Sequence, residues 1–139
     1  MTLFKPERLK GVHPDLTKVI IAACEGFAFD MFLVQGVRTE EQHTANLASG
    51  KSQTKKSRHV PAFNQCGMSC AVDIAPCSKD GKEIFWNRTD LFFRFNTAVQ
   101  KAAVKLGVPV EWGGAWVTFK DFNHWQLPLR KYPRARGLL

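Results

Sequence analysis

Three candidate metal ligands that lie far apart along the chain, His59, Asp73 and His124, constrain its possible folds more than any other sequence feature. Two imidazoles and one carboxylate can hold a zinc ion and leave one coordination position open for water. A shared site of this kind requires a fold that brings the three side chains together. Each residue also has a simpler interpretation: His59 as a surface residue, Asp73 as the partner of an arginine, and His124 as a hydrogen-bonded core residue.

Asp73 lies in a segment, residues 70–75, whose composition is typical of a β-strand. Because successive side chains of a strand point to opposite faces, Val72 and Ile74 are expected on one face and Asp73 on the other. The neighbours of Asp73 on its own face would be two alanines, which leave room for a metal ion and a substrate. This prediction fails if the segment is helical.

Asp121 precedes His124 by three residues and is the candidate general base. A metal that acidifies a bound water needs a nearby group to take up the proton. An extended stretch of three residues spans roughly 10 Å, so Phe122 and Asn123 must form a bend if both side chains serve one site. Asparagine is a good turn residue. The alternative is an aspartate in an Asx-type turn without a catalytic role.

Arg38 is the second candidate for a role in catalysis. It follows Gly36 at the expected junction between a strand and a helix, and from there its side chain can point into a cleft. A guanidinium in that position can bind a substrate carboxylate or a developing oxyanion. The alternative is an exposed arginine on a loop.

The pattern of apolar residues predicts an α+β protein in which helices pack on a small, mainly antiparallel sheet. Helical spacing predicts helices over residues 14–26, 40–50 and about 89–106. Thr39 is the expected N-cap of the second helix, and His43 would lie on its polar face. Short apolar runs predict strands over residues 31–35, 70–75, 108–112 and 124–127. The polar stretch 51–68 is expected to be a long loop, and loops of that length are commonly functional.

The charge of the chain bears on its partners. At 139 residues it is expected to form one domain, with a basic tail at about residues 128–139. The net charge of +8 favours contact with a polyanion such as nucleic acid, an anionic cell-wall polymer or an acidic lipid surface, without choosing among them. Two basic clusters, which in the simplest interpretation are solvated surface, contain Lys51, Lys55, Lys56 and Arg58, and Arg130, Lys131, Arg134 and Arg136. A basic nucleic-acid-binding domain is a further hypothesis, and only charge and aromatic content support it. The sequence has no helix-turn-helix signature, RNP motif or zinc-finger spacing.

The sequence also indicates in which cellular compartment the protein is made. No apolar run reaches the ~18–20 residues that a membrane span needs. The first apolar stretch, residues 19–23, lacks the basic start of a signal peptide. The protein is therefore expected to be made in the cytoplasm and to reach any other compartment by a different route. Separately, it is expected to be a monomer.

The four cysteines, at positions 24, 66, 70 and 77, are expected to be reduced thiols. No two of them have the spacing of a common zinc knuckle. Two alternatives stay open. Cys66, Cys70 and Cys77 could form a structural zinc site near His59, or a Cys66–Cys70 disulfide could form after release into an oxidising space.

Five short motifs occur in an order that resembles a known family. They are QGVRT at residues 35–39, SRH at 57–59, AVDI at 71–74, EWGG at 111–114 and DFNHW at 121–125. This set looks like the L-alanyl-D-glutamate peptidases of phage endolysins, which are relatives of the VanY-type D,D-carboxypeptidases and VanX-type dipeptidases. Residues 9–16 also match the family's opening helix, so the resemblance spans about residues 9–127.

The resemblance implies a hedgehog/D,D-peptidase-like α+β fold and cleavage of the L-alanine–D-glutamate bond in bacterial peptidoglycan. The zinc ligands that it implies are His59, Asp73 and His124. Asp121 would be the general base and then the proton donor to the leaving amine, Arg38 would bind or polarise the substrate, and Ser57 would support the site. Such an endolysin would stay in the host cytoplasm until its release to the cell wall or periplasm, where it would lyse the host.

Other activities stay open at this point. Within the same superfamily the alternative is a D-alanyl-D-alanine carboxypeptidase or dipeptidase, and outside it a basic domain that binds the cell wall without catalysis. The chain also departs from the family pattern in two places. Residues 60–72 make the spacing between His59 and Asp73 longer than usual, and the stretch 61–66 is expected to loop out. A glutamate often takes the position of Asp121 in this family, and the shorter side chain requires a closer backbone.

Overall fold

The computed structural model describes residues 1–51 and 56–137. Within these residues the strands and helices follow in the order β1 (Leu3–Phe4), α1 (Pro14–Glu25), β2 (Met31–Gln35), α2 (Glu40–Ala48), β3 (Ala71–Pro76), α3 (Thr89–Leu106), β4 (Glu111–Trp112) and β5 (His124–Gln126). Short 3-10 turns lie at Pro6–Leu9, Pro61–Phe63 and Gly113–Ala115. No helix in the described part of the chain is both long enough and apolar enough to span a membrane.

The strands form one sheet in the order β1-β2-β3-β5-β4. Strand β1 is parallel to β2, and the other neighbouring strands are antiparallel. The predicted α+β fold with a mainly antiparallel sheet is therefore confirmed. The two-residue strand β1 was not predicted, because so short a segment carries no alternating pattern.

The predicted strand over residues 108–112 is wrong for its first three residues. Only Glu111–Trp112 pair with β5, although Val108 and Val110 are buried. The backbone groups that would extend the strand have other partners. The N–H of Val108 donates to Ala103 O at the end of α3, and Val110 O accepts from the side chain of Gln100.

Helices α1 and α3 pack against each other and against the sheet, and they enclose most of the core. Gly107 ends α3 in the left-handed conformation at φ 70°. The buried residues of α3 recur at helical spacing and are Leu91, Phe92, Phe95, Val99, Ala102 and Ala103. Phe95 lies at the centre of the face that they form. Its ring meets those of Phe27 and Trp125 edge to face, at centroid distances of 5.2 Å each.

Replacing Phe95 with alanine should strongly destabilise the fold. The ring is fully buried, so its loss leaves a cavity, and we expect the free energy of unfolding to fall by about 3–5 kcal/mol. Val104→Ala on the same helix is the control, since Val104 is 84% exposed and should change stability by less than about 0.5 kcal/mol. Urea denaturation followed by circular dichroism measures both. Equal changes in the two variants would contradict this description of the core.

Helix α2 begins with the expected N-cap at Thr39, which forms a complete capping box with Gln42. The placement of His43 on a polar, solvent-facing side was wrong. His43 is only 2% exposed, and its ring packs edge to face on Phe63 at 5.7 Å. Phe63 belongs to the segment after the second helix, so the local pattern of the helix could not reveal this contact.

The first basic cluster is not simply solvated surface. Arg58 is 4% exposed, and its guanidinium donates to Asn64 Oδ1 at 2.6 Å, to Leu127 O at 3.1 Å and to Tyr132 O at 2.6 Å. The several donors of one guanidinium thus join three segments of the chain. Lys55, another member of this cluster, lies outside the described residues.

The cysteines are free thiols in this structure. Cys66 and Cys70 are neighbours, with their Sγ atoms 3.7 Å apart and no disulfide between them. Among the described residues, the single group of three or more side chains with metal-ligand geometry contains no cysteine. The alternative of a structural zinc site on Cys66, Cys70 and Cys77 is therefore not supported.

Candidate active site

Strands β3 and β5 place Asp73 and His124 side by side. The two residues are direct partners in the antiparallel register, so their side chains project from the same face of the sheet. His59 approaches from the loop before β3. The Nε2 atom of His59 lies 3.1 Å from Asp73 Oδ1, and the Nδ1 atom of His124 lies 3.0 Å from the same oxygen. The potential ligand atoms of all three residues lie within 4.8 Å of one another.

The outer nitrogens of the two imidazoles face hydrogen-bond acceptors. His59 Nδ1 lies 3.0 Å from the carbonyl oxygen of Gly36, and His124 Nε2 lies 2.8 Å from Gln126 Oε1. A proton on each outer nitrogen satisfies these contacts and leaves the inner nitrogen with a free lone pair. Two lone pairs and a carboxylate then converge on one point, which is the arrangement that metal-binding histidines require.

The pKa shifts of Asp73 and His124 show how charge is distributed in the site. Burial alone would raise the pKa of Asp73, but its contacts with His59 and His124 hold its pKa below the ordinary value. Burial likewise opposes a charge on His124, yet the contact with Asp73 raises the pKa of His124 overall. The carboxylate is therefore ionised, and a positive charge beside it is favoured. The residues present fit a divalent cation with a preference for nitrogen and oxygen ligands, such as zinc.

Asp121 lies in the loop that leads into β5. The N–H of His124 donates to Asp121 O at 3.3 Å, so the segment between them forms the bend that the spacing required. The N–H of Asp121 donates to Gly113 O at 3.1 Å, and a Cβ atom at Gly113 would collide with Asp121 O. Glycine at position 113 therefore allows the close approach of the Asp121 backbone. Burial, and then the charge of Asp73, raise the pKa of the Asp121 carboxyl.

Arg38 and Ser57 line the same cleft as the three-residue centre. Arg38 donates from Nε and Nη2 to Gln35 Oε1, at 2.9 and 2.7 Å, and from Nη1 to Ser57 Oγ at 3.4 Å. Ser57 Oγ also accepts the N–H of His59 at 3.3 Å. Ser57 thus connects the guanidinium of Arg38 to the backbone of a candidate ligand, and Gln35 fixes the orientation of that guanidinium.

All six residues singled out in the sequence line one cleft of about 400 Å³. Residues that the sequence analysis did not place there also line it: Trp116, Thr118, Phe119, Gln126 and Arg134. Gln126 could have been found, since it follows His124 by two positions in a strand and shares its face. The others had no such signal. They come from a loop and from the C-terminal segment, whose positions depend on tertiary contacts.

Gln126 is expected to control metal affinity through the tautomer of His124. Gln126→Leu removes the acceptor for Nε2–H, so the ring loses its fixed orientation, and we expect the Kd for zinc to rise by about 10–100-fold. Gln126→Glu keeps an acceptor oxygen and should retain most of the affinity. Competition with a chromophoric chelator measures both values. An unchanged Kd in Gln126→Leu would mean that this hydrogen bond does not orient the ligand.

The fold and the site together define a class: a small α+β protein with a His-Asp-His centre that could hold a metal ion in an open cleft. Comparisons with known proteins identify the family to which such a protein belongs. Residues 4–126 match the family model of the phage L-alanyl-D-glutamate peptidase, and the chain therefore belongs to this family of peptidases. The matched range contains all five motifs.

Two relatives illustrate the similarity. The L-alanyl-D-glutamate peptidase of Escherichia phage T5 is 33% identical over 120 residues, which is 84% of this chain and 81% of the relative. The crystal structure of the Serratia marcescens L-Ala D-Glu endopeptidase ChiX superposes with a TM-score of 0.81 at 34% identity, over 96% of this chain and 94% of that one.

Proposed function

We propose that the chain is a zinc-dependent endopeptidase that cleaves the L-alanine–D-glutamate bond of peptidoglycan stem peptides and serves a phage as its endolysin. The observation that carries the proposal is the convergence of His59, Asp73 and His124 within 4.8 Å in a member of a family with this activity in its name. Zinc bound by these residues would lower the pKa of a coordinated water to about 7 and polarise the amide carbonyl.

The other residues of the cleft have complementary roles in this proposal. Asp121 accepts the proton of the attacking water and then donates it to the leaving amine. A raised pKa suits this exchange, because the carboxyl must both accept and release a proton. Arg38, held by Gln35 and Ser57, binds the substrate or stabilises the negative charge that develops on the carbonyl oxygen.

The setting of the reaction follows from the same proposal. The enzyme works as a monomeric single domain on bacterial peptidoglycan, after it has moved from the host cytoplasm to the cell wall. The net charge of +8 favours its accumulation on anionic envelope polymers, and that attraction should weaken as salt concentration rises. No specific nucleic acid is required.

Product analysis on murein tests the proposed bond. Zinc-loaded protein is incubated with purified murein, and the released fragments are identified by mass spectrometry. We expect new amino-terminal D-glutamyl peptides together with lactyl-L-alanine ends, and their absence after treatment with a chelator. Release of terminal D-alanine instead would identify the carboxypeptidase alternative and overturn the proposal.

A further inference from the structure

The C-terminal segment contributes one residue, Arg134, to the lining of the cleft. Residues 127–137 lie beyond the part of the chain that matches the family model, yet they do not extend into solvent as a free tail. The N–H of Ala135 donates to Phe63 O at 2.9 Å, and that of Gln65 donates to Pro133 O at 3.0 Å. These bonds pair the segment with the stretch that separates His59 from Asp73, and they place Arg134 opposite Asn64.

Two further contacts anchor the segment. The carbonyl oxygen of Tyr132 accepts a hydrogen bond of 2.6 Å from the buried Arg58, and its hydroxyl donates to Asp15 Oδ2 at 2.8 Å. Arg134 therefore lies two residues after the anchored Tyr132, and its own backbone pairs with that of Asn64. Arg134 lines the same cleft as the His-Asp-His centre.

Arg58 and Arg134 both line the cleft. The Nε atoms of Arg58 and Arg134 are buried without a hydrogen-bond partner, and no ion pair among the described residues involves either side chain. Burial, and also the positive charge of Arg134, lower the pKa of Arg58. Two guanidinium groups near each other in a partly desolvated cleft favour the arrival of an anion.

We propose that Arg134 determines substrate specificity by binding a carboxylate of the stem peptide beside the scissile bond. This inference rests on the proposed function. A D-glutamyl residue whose chain continues through its side-chain carboxyl keeps a free α-carboxylate, and this group lies next to the amide that is cut. Arg38 is less suited to this contact, because two of its nitrogens already donate to Gln35. A guanidinium can bind a carboxylate through two parallel hydrogen bonds.

Two synthetic substrates test the role of Arg134. The first is N-acetyl-L-alanyl-γ-D-glutamyl-L-lysine, and the second is the same peptide with the α-carboxylate of D-glutamate converted to its amide. We expect the wild type to prefer the acid. Arg134→Gln should raise KM for the acid by about 10–100-fold, as for the loss of hydrogen bonds to a charged group, with little change in kcat or in KM for the amide. Arg134→Lys should restore part of the preference.

Controls separate this inference from the proposed function. Arg136→Gln changes an exposed arginine of the same segment that does not line the cleft, and it should leave both KM values unchanged. Calorimetry of the product γ-D-glutamyl-L-lysine with metal-free protein gives a binding readout that is independent of turnover, and Arg134→Gln should weaken this binding. Equal preference for acid over amide in Arg134→Gln and wild type would overturn the role of Arg134 alone. Cleavage of neither peptide by the wild type would contradict the proposed function itself.

Discussion

Alanine in place of His59 or His124 should abolish zinc binding and reduce peptidase activity to background. Each variant removes one of three candidate ligands whose donor atoms lie within 4.8 Å of one another. The remaining imidazole and carboxylate are too few for the three protein ligands that a catalytic zinc site uses. We expect zinc content to fall from about one ion per chain to near zero, measured by atomic absorption after desalting.

A matched control is available in the same chain. His13 lies outside the cleft, where its Nδ1 accepts the N–H of Asp15 at the start of α1. His13→Ala should lower stability by about 1 kcal/mol through the loss of this cap and should keep its zinc. Full zinc content in His59→Ala and His124→Ala would show that the metal, if bound, is held elsewhere.

Asp121→Asn should separate metal binding from turnover. The amide keeps the size of the side chain and the backbone bonds to Gly113 and His124, but it cannot accept the proton of the attacking water. We expect zinc content to be unchanged and kcat to fall by about 10²–10⁴-fold, the span expected for the loss of a general base. Steady-state rates on a soluble stem peptide and atomic absorption on the same preparation measure the two quantities.

Asp90→Asn provides the control for a general loss of carboxylate charge. Asp90 is exposed and pairs with Arg88 at the start of α3, so its replacement should leave kcat unchanged. A normal rate in Asp121→Asn would remove Asp121 from the mechanism. Loss of zinc in that variant would instead assign it a role in metal binding.

The long elements and the convergence of the ligands were open to prediction from the sequence. The apolar positions of α3 repeat with the helical period over 18 residues, and the strand alternation around Asp73 placed its carboxylate opposite the hydrophobic face. The turn between Asp121 and His124 followed from distance once both side chains were assigned to one site. The helix, the strand and the turn depend on local geometry, which neighbouring residues encode. The convergence of the distant ligands was predicted from the family resemblance, which rests on short motifs.

The polar residues that proved to be buried could not be predicted in this way. Arg58 has two basic residues close before it in sequence, yet its partners are Asn64 and backbone carbonyls of the C-terminal segment. His43 likewise packs on Phe63 from another segment. In each case burial depends on contacts across the fold, which no local pattern encodes. The same limit applies to Arg134 and to the loop residues of the cleft.

Titration of zinc into metal-free protein tests the central claim most directly. Activity on murein is followed through the appearance of new amino-terminal D-glutamyl groups. We predict no activity in the metal-free protein, and a rise that saturates at about one zinc per chain, as for a single three-ligand site. Cleavage of the L-alanine–D-glutamate bond at full rate without metal, or saturation that does not depend on His59 and His124, would contradict the assignment.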